Sequence, residues 1–351
     1  MNKNILKYLV CVNCSNDLRL KVLKHYKNNV IEGVLYCNNG HEFPIIKSIP
    51  RILKKEFMFK IYKNNKHFFN KYNINVDYSN SYKKNIKEKI AESFTYEWKK
   101  YNKLYDFYEW QFLDWINPVK KDFFKNKLVL DAGCGNGRHT FFAAKYSSEV
   151  IAIDLGESIE VAQDNNKNFN NVNFIQSDIY NLPFKNNIFD YAYCIGVLHH
   201  LPRPYEGFLN LIKYIKKNGR MSIWVYGNQS FIIIIFNILR INLFSKISIR
   251  LNHFISNIIT ISLYPIIYYY KLINQYTSNR FKYILPQFDF LVYLSKLNYK
   301  VIRSITFDQM LAPVAFYYKR EDIYAWFKRA RLKNILITER NDNSWRGTGI
   351  K

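Results

Sequence analysis

Glycine (12) and proline (9) are scarce in this chain of 351 residues, which excludes collagen-like and proline-rich linker architectures. Cysteine is limited to Cys11, Cys14, Cys37, Cys134 and Cys194. An odd number, with three in the first 41 positions, is not a disulfide framework. No apolar run reaches the roughly 20 clean residues of a spanning helix: Asn237 interrupts 231–239, and Asn257, Ser262 and Pro265 interrupt 254–270. The N-terminal stretch MNKNILKYLVCV is broken by Lys7 and lacks a small-residue cleavage site, so no secretory signal is expected. The expected setting is cytoplasmic, with work against a membrane surface left open. Acid is short as well, with 27 Asp and Glu against 52 Lys and Arg.

What is present can fill a core. Hydrophobic residues make up 48% and aromatics 18% of the chain, which excludes wholesale disorder. The surplus charge is uneven. Residues 1–127 hold 25 basic and 12 acidic side chains, residues 128–227 hold nine of each, and residues 228–351 hold 18 and six. A coding bias toward lysine would not spare the middle third, so the flanks are expected to face something anionic: nucleic acid, lipid headgroups or a phosphorylated substrate.

Between 128 and 227 short apolar runs end in Gly or Asp: LVLDAG (128–133), VIAIDL (150–155), VNFIQSD (172–178), YAYCIG (191–196) and RMSIWVYG (220–227). Helical stretches at 138–147, 158–169 and 204–215 separate them. Strands alternating with helices of this length predict an α/β fold with a parallel sheet. Residues 228–320 interrupt the rhythm with an Ile/Tyr-rich helical block. A helix (321–331) and two strands (334–339, 345–351) then return to it. The expected organisation is a cysteine-bearing module at 1–55, a polar linker at 56–91 with one helix, a core at 92–227, a lid at 228–320 and closing elements at 321–351.

Cys11-x2-Cys14 and Cys37-x3-His41 offer three thiolates and an imidazole, a set suited to tetrahedral zinc. The 22 residues between the pairs suit a β-hairpin. With no open coordination position, the metal would be structural. This segment resembles the zinc ribbons of the Trm112-like family, with Cys37…Phe43-Pro44-Ile45-Ile46…Ser48-Ile49-Pro50 matching its closing pattern and Ser48 standing where the family usually has Gly. The second knuckle is also similar to the zinc module of bacterial ribosomal RNA guanine methyltransferases.

The run Val129-Leu130-Asp131-Ala132-Gly133-Cys134-Gly135-Asn136-Gly137-Arg138 is a strand ending in an acid, then a Gly-x-Gly-x-Gly turn opening a helix. Glycines let backbone approach a ligand, and a helix start offers free N–H groups. The dinucleotide fingerprint needs its third glycine one residue later. The run resembles motif I of class I S-adenosylmethionine-dependent methyltransferases, particularly the type 11 group. The resemblance covers about 94–227 well and extends to 321–351. It implies a Rossmann-like methyltransferase sheet with an antiparallel last strand, joined to an N-terminal zinc-ribbon β module and a helical lid insertion. It also implies that Asp131, Gly133, Cys134, Gly135 and Gly137 cradle the methionine end and that Asp154, with Leu155, takes the ribose hydroxyls. Asp178 and Ile179 would read adenine, with Leu182-Pro183-Phe184 following in the type 11 manner. Ile195 and Gly196, within Cys194–His200, would line the methionine end. Phe94, Trp98 and Tyr101 resemble an aromatic entry helix over the cofactor, or else pack in the core.

The two cofactors so implied are S-adenosyl-L-methionine and structural Zn2+. Methyl transfer needs a general base only for a hydroxyl or acidic carbon acceptor. His199 and His200, leaving the fourth strand, are the candidates; packing is the competing role, and Tyr193 and Tyr226 are weaker alternatives. An Asn/Asp-Pro-Pro-aromatic sequence is absent, which disfavours exocyclic-amine methylation of bases. Cys194, within a strand, and Cys134, in the loop, are not expected to be nucleophiles. In the lid, Ile232–Ile235, Ile258, Ile259, Ile261, Leu263, Tyr264 and Tyr268–Tyr270 alternate with Arg240, Lys246, Arg250 and Lys271. That pattern suits a lipidic or anionic small-molecule acceptor and a peripheral membrane contact, or else a lid with its own small core. Asp308, Met310 and Pro313 match a loosely kept stretch near the active site in relatives. The alternatives are an RNA methyltransferase using the ribbon and basic flanks, and a non-catalytic binding or activator protein.

Overall fold

The structure, a computed structural model, describes residues 1–74, 85–227, 243–244, 247–277 and 284–351. The lid positions Ile232–Ile235, Arg240 and Lys246 lie outside the described residues. Four antiparallel strands, β1 (Arg19–Tyr26), β2 (Asn29–Tyr36), β3 (Glu42–Ile46) and β4 (Ile49–Pro50), form the N-terminal sheet in the order β1-β2-β3-β4. Its first two strands make the expected hairpin between the two Cys/His pairs.

The central sheet has seven strands: β5 (Leu128–Ala132), β6 (Glu149–Asp154), β7 (Val172–Gln176), β8 (Phe189–Ile195), β9 (Ile215–Tyr226), β10 (Lys333–Arg340) and β11 (Ser344–Ile350). Their spatial order is β10-β11-β9-β8-β5-β6-β7, and β11 alone runs antiparallel, between β9 and β10. This is the Rossmann-like sheet with an antiparallel last strand expected from the sequence. Helices α5 (Arg138–Tyr146), α6 (Ser158–Asn165) and α7 (Pro204–Tyr214) connect the strands, and α11 (Arg320–Arg329) precedes the closing hairpin. Trp326 and Phe327 of α11 are buried, and a side chain at Gly347 or Gly349 would strike the Phe327 ring.

Residues 56–91 are not a polar linker with one helix. Their described part carries α1 (Lys55–Asn64), α2 (Lys66–Lys71) and the start of α3 (Ile86–Lys100). Phe57, Met58, Ile61, Phe68 and Phe69 bury one face against Ile46 and Leu53, while the Lys and Asn residues that dominate the composition face water. Helical spacing, hidden by a polar average, decides the outcome. Asn85 caps α3: its side chain accepts from the Glu88 amide while the Glu88 carboxylate accepts from the Asn85 amide. After α4 (Phe107–Trp115), an apolar cluster around Phe112, Phe124 and Tyr193 fills one face of the sheet.

The N-terminal module shares its core with the central domain. Ile5, Leu9, Leu18, Leu35, Phe43 and Ile52 belong to the same buried cluster as Leu130, Ile153 and Ile175. The Val10 amide donates to the Pro183 carbonyl, the Lys185 amide to Tyr8 and the Ile52 amide to Gln176. Arg51, 1% exposed, donates to Gln176 Oε1 and Glu160 Oε1, both at 2.7 Å. The module therefore does not lean on a metal alone for its interior.

The lid is helical in its described parts: α8 (Ile249–Thr277), α9 (Phe288–Leu294) and α10 (Tyr299–Leu311). Among the described residues no helix is long and apolar enough to cross a membrane.

Candidate functional site

Parallel strands connected by helices place all their C-terminal ends on one sheet edge, and the strand order reverses where β5 lies between β6 and β8. Loops leaving such a point diverge and open a crevice. A cavity of about 990 Å³ lies there, walled by the strand ends, α3 and the lid helices.

The glycine loop forms one wall. Gly133 and Gly135 take φ of +86° and +56°, conformations that a side chain opposes. A Cβ at Gly133 would come within 2.4 Å of Val197 Cγ2, and one at Gly135 within 2.8 Å of Trp98 Nε1. Trp98 thus lies directly on the loop. Gly133, Cys134 and Gly135 line the cavity, whereas Gly137 and Asp131 do not. Gly137 starts α5 at φ +77°. Asp131 stands behind the wall, accepting from Thr140 Oγ1 at 2.6 Å, and burial raises its pKa to about 7. The buried loop acid secures the start of α5 rather than facing a ligand.

Asp154 lines the cavity and organises the loop. Its Oδ2 accepts from the Gly135 amide at 2.9 Å; its Oδ1 accepts from the Gly156 amide at 2.7 Å and from Ser158 Oγ at 3.1 Å. Burial raises its pKa, and those amides oppose the rise. Leu155 lines the wall beside it. At the end of β7, Asp178 Oδ2 accepts from Lys87 Nζ of α3 at 2.7 Å, and Oδ1 accepts from the Tyr180 amide. Ile179, Ile195 and Gly196 complete this side. Backbone that no side chain can enter, two acids at successive strand ends and an aromatic cover make a cradle that fits an elongated nucleoside cofactor.

The two histidines separate. His199 is fully buried, stacks on Tyr226 with ring centroids 3.8 Å apart and does not line the cavity. Burial and the neighbouring His200 hold its pKa well below the usual histidine range. It is a packing residue, which corrects the expectation of a base at this position. His200 does line the cavity. Its Nδ1 lies 2.8 Å from the Val314 carbonyl oxygen, so Nδ1 carries the proton and Nε2 is the basic nitrogen. Beside it, Tyr226 Oη donates to Asp308 Oδ2 at 3.1 Å and accepts from Gln309 Nε2 at 2.8 Å. Both Cys134 and Cys194 are buried with pKa values driven up by burial, as inert thiols should be.

Several cavity residues carried no sequence signal. Lys87, Glu97, Gln111, Trp224 and Arg340 come from four separate elements, and no short motif joins them. Glu97 is 1% exposed and accepts from Ser304 Oγ at 2.9 Å. Burial, then Asp308, pushes its pKa well above the carboxylate range.

In the N-terminal module the ligand atoms of Cys11, Cys14, Cys37 and His41 all lie within 4.8 Å of one another. Cys14 Sγ–Cys37 Sγ is 3.6 Å, and His41 Nδ1 lies 3.6 Å from Cys11 Sγ and 3.3 Å from Cys37 Sγ. A zinc tetrahedron with bonds of about 2.3 Å to sulfur and about 2.0 Å to nitrogen has edges of about 3.5–3.8 Å, so the donor set fits that ion.

Residues 123–233 match a family model described as a methyltransferase domain. The ubiquinone biosynthesis O-methyltransferase of Rickettsia akari is 33% identical over 125 residues, covering 32% of this chain and 49% of that protein. Its namesake in Coxiella burnetii is 33% identical over 114 residues, 30% of this chain and 49% of that protein. The chain thus spans about half the length of these curated relatives. A structure of a methyltransferase from Aquifex aeolicus aligns at a TM-score of 0.41 with 12% identity, over 73% of this chain and 97% of that one. The matched span 123–233 contains the glycine loop, Asp154, Asp178 and His200.

On the expectation that Asp154 takes the ribose hydroxyls of S-adenosylmethionine, Asp154→Ala should weaken binding of that cofactor by one to two orders of magnitude, because charge-assisted hydrogen bonds worth about 1.5–3 kcal/mol are lost. Calorimetry on the variant measures this, and affinity equal to the native chain would refute the role.

Proposed function

We propose that the chain is an S-adenosylmethionine-dependent methyltransferase acting on a small-molecule acceptor. The observation that carries this is a single cavity whose one wall is the glycine loop with Asp154 and Asp178, and whose other wall is the apolar lid. The methyltransferase-domain match over 123–233 supports the same reading. When bound, the cofactor supplies an electrophilic methyl group on its sulfonium. Asp154 accepts from the ribose hydroxyls, Asp178 and Ile179 meet adenine, and the Gly133–Gly135 backbone passes along the methionine end.

The acceptor side is lined by Ile259, Leu263, Phe290, Leu291 and Ile305, so the acceptor is apolar over much of its length. Enclosure beneath the lid excludes water and holds the acceptor in line, which supplies much of the rate. The names of the curated relatives favour a hydroxyl acceptor. His200 Nε2 then takes the hydroxyl proton, with Tyr226 and Asp308 beside it. The basic flanks keep an RNA acceptor as the second reading.

Incubation with methyl-labelled cofactor and cell extract should place label in the lipid or small-molecule fraction. Label confined to RNA would overturn the small-molecule reading, and no transfer at all would overturn the enzyme. His200→Gln should lower turnover by roughly 10²-fold or more while leaving cofactor affinity unchanged; an equal loss of both would mean that His200 only packs.

We further propose that residues 1–55 form a zinc ribbon, that 92–227 with 321–351 form the catalytic core and that 228–320 form its lid. Cys11, Cys14, Cys37 and His41 would hold one structural Zn2+. Because the module's core is continuous with the central one, chelation should lower the melting temperature of the whole chain in one transition. Elemental analysis should find one zinc per chain; absence of zinc, with melting indifferent to chelator, would remove the site.

A further inference from the structure

Gln111, Trp115, Trp224, Tyr293 and Arg340 line the cavity together with Arg138, which directly follows the glycine loop and lies 5.0 Å from the Trp98 ring centroid. Arg340 is 6% exposed, and among the described residues its one hydrogen-bonded partner is Asp114, reached from Nε. Its Nη2 has no partner. Asp114 is shared, because Arg346 Nη1 also donates to it at 2.9 Å. The Arg340 guanidinium lies 4.7 Å from the Tyr293 ring centroid and 5.4 Å from that of Trp115, and Arg138 lies 5.6 Å from the same Trp115 centroid. Here two arginines face the cavity, and one carboxylate is divided between Arg340 and Arg346. A buried cation such as Arg340 is costly to hold unless it is fully neutralised. The side-chain acceptor Gln111 Oε1 and the donors Trp115 Nε1 and Trp224 Nε1 also lack partners.

We propose that Arg340 and Arg138 form a subsite for an anionic group, a phosphate or carboxylate, carried by the apolar acceptor. Planar guanidinium donors match the oxygens of such groups. This rests on the methyltransferase reading for the acceptor's presence in the cavity, not for the site's chemistry. The test titrates n-octyl phosphate and n-octanol into the full chain, with and without saturating S-adenosylhomocysteine. The phosphate should bind at least tenfold more tightly than the alcohol, and Arg340→Met should erase that difference while leaving octanol and S-adenosylhomocysteine affinities within twofold. Arg138→Met, which spares Asp114, should weaken the phosphate alone and guards against misfolding of the first variant. Equal binding of phosphate and alcohol, or variants that bind phosphate unchanged, would overturn the subsite. So would competition between the phosphate and S-adenosylhomocysteine, which would place the anion in the cofactor cradle. Failure of S-adenosylhomocysteine to bind would instead overturn the methyltransferase reading, with the phosphate titration still deciding the subsite.

A separate observation concerns the outside of the lid. Helix α8 buries Asn252, Ser256 and Thr260 along with Ile267 and Tyr270, while Phe254, Ile258, Ile261 and Tyr268 are 61%, 50%, 57% and 56% exposed. The exposed stripe recurs at three- and four-residue steps, so it is one continuous face. The helix carries no acid, and its only charges are Arg250 and Lys271. Its inward residues Ile259, Leu263 and Tyr270 line the cavity. We infer that this face docks on an anionic lipid bilayer: apolar side chains enter the acyl boundary and the cations meet headgroups. One helix then separates membrane from acceptor cavity. In flotation assays the full chain should bind phosphatidylcholine vesicles containing about a third phosphatidylglycerol. Binding should weaken tenfold or more in the triple variant Phe254→Ser, Ile258→Ser, Ile261→Ser, whose melting temperature should match the native chain. Absence of flotation, or triple-variant binding equal to native, would overturn the inference. So would a concentration-dependent dimer that the triple variant abolishes, since the face would then pair with itself.

Discussion

The site depends on one buried carboxylate. Asp154 ends β6 and reaches two turns at once, taking the Gly135 amide from the loop after β5 and the Gly156 amide from its own. Neighbouring parallel strands bring these turns side by side, the Gly133 and Cys134 amides both donate to the Ile153 carbonyl, and the shared acid ties the two turns together. The cost of burying it is offset by three donors directed at its oxygens. Because the same oxygens face the cavity, the group that shapes the cradle is also offered to the ligand. A long side chain could not serve: reach would replace precision, and the glycine loop, already committed to positive φ, would lose its fixed neighbour.

A second constraint joins the N-terminal module to this edge. Arg51 stands where the small sheet meets β7, and its guanidinium spans Gln176 and Glu160. Glu160 belongs to α6, whose first turn follows the Asp154 loop. The module therefore braces β7 and α6. Such an arrangement explains why so small a β module needs no separate interior, and it assigns the Cys/His cluster to holding the ends of a hairpin rather than replacing a core.

Much of this was legible in the sequence because it is local. The α/β rhythm, the Gly133–Gly137 turn, the acids at 154 and 178 and the two ligand pairs each sit within a few residues, where periodicity and spacing report directly. The segment 56–91 misled because Lys and Asn dominate its average while Phe57, Ile61 and Phe68 define its buried face. His199 and His200 could not be separated from sequence: adjacent residues on a turn point in different directions, and only the packing of Tyr226 decides which one is sealed. Arg340 and Glu97 were invisible for a different reason. They lie 243 positions apart on α3 and β10, and only the closed fold makes them neighbours of one cavity.

The distribution of charge becomes intelligible on the same grounds. The sheet segment 128–227 is neutral because it holds nine acidic and nine basic side chains, and on the cavity wall Asp154 is engaged by backbone amides and Ser158 and Asp178 by Lys87. The basic flanks also reach the cavity: Lys87 meets Asp178, and Arg340 lines the wall beside Trp115 and Tyr293. A cation brought from a distant part of the chain is held there only by packing against Tyr293 and Trp115 and by half a share of Asp114. Were its purpose only to fasten β10 to α4, an apolar pair of equal volume would fasten them at lower cost in desolvation. Its unpartnered Nη2, beside partnerless indole and amide groups, is what an anionic group on the proposed acceptor would satisfy.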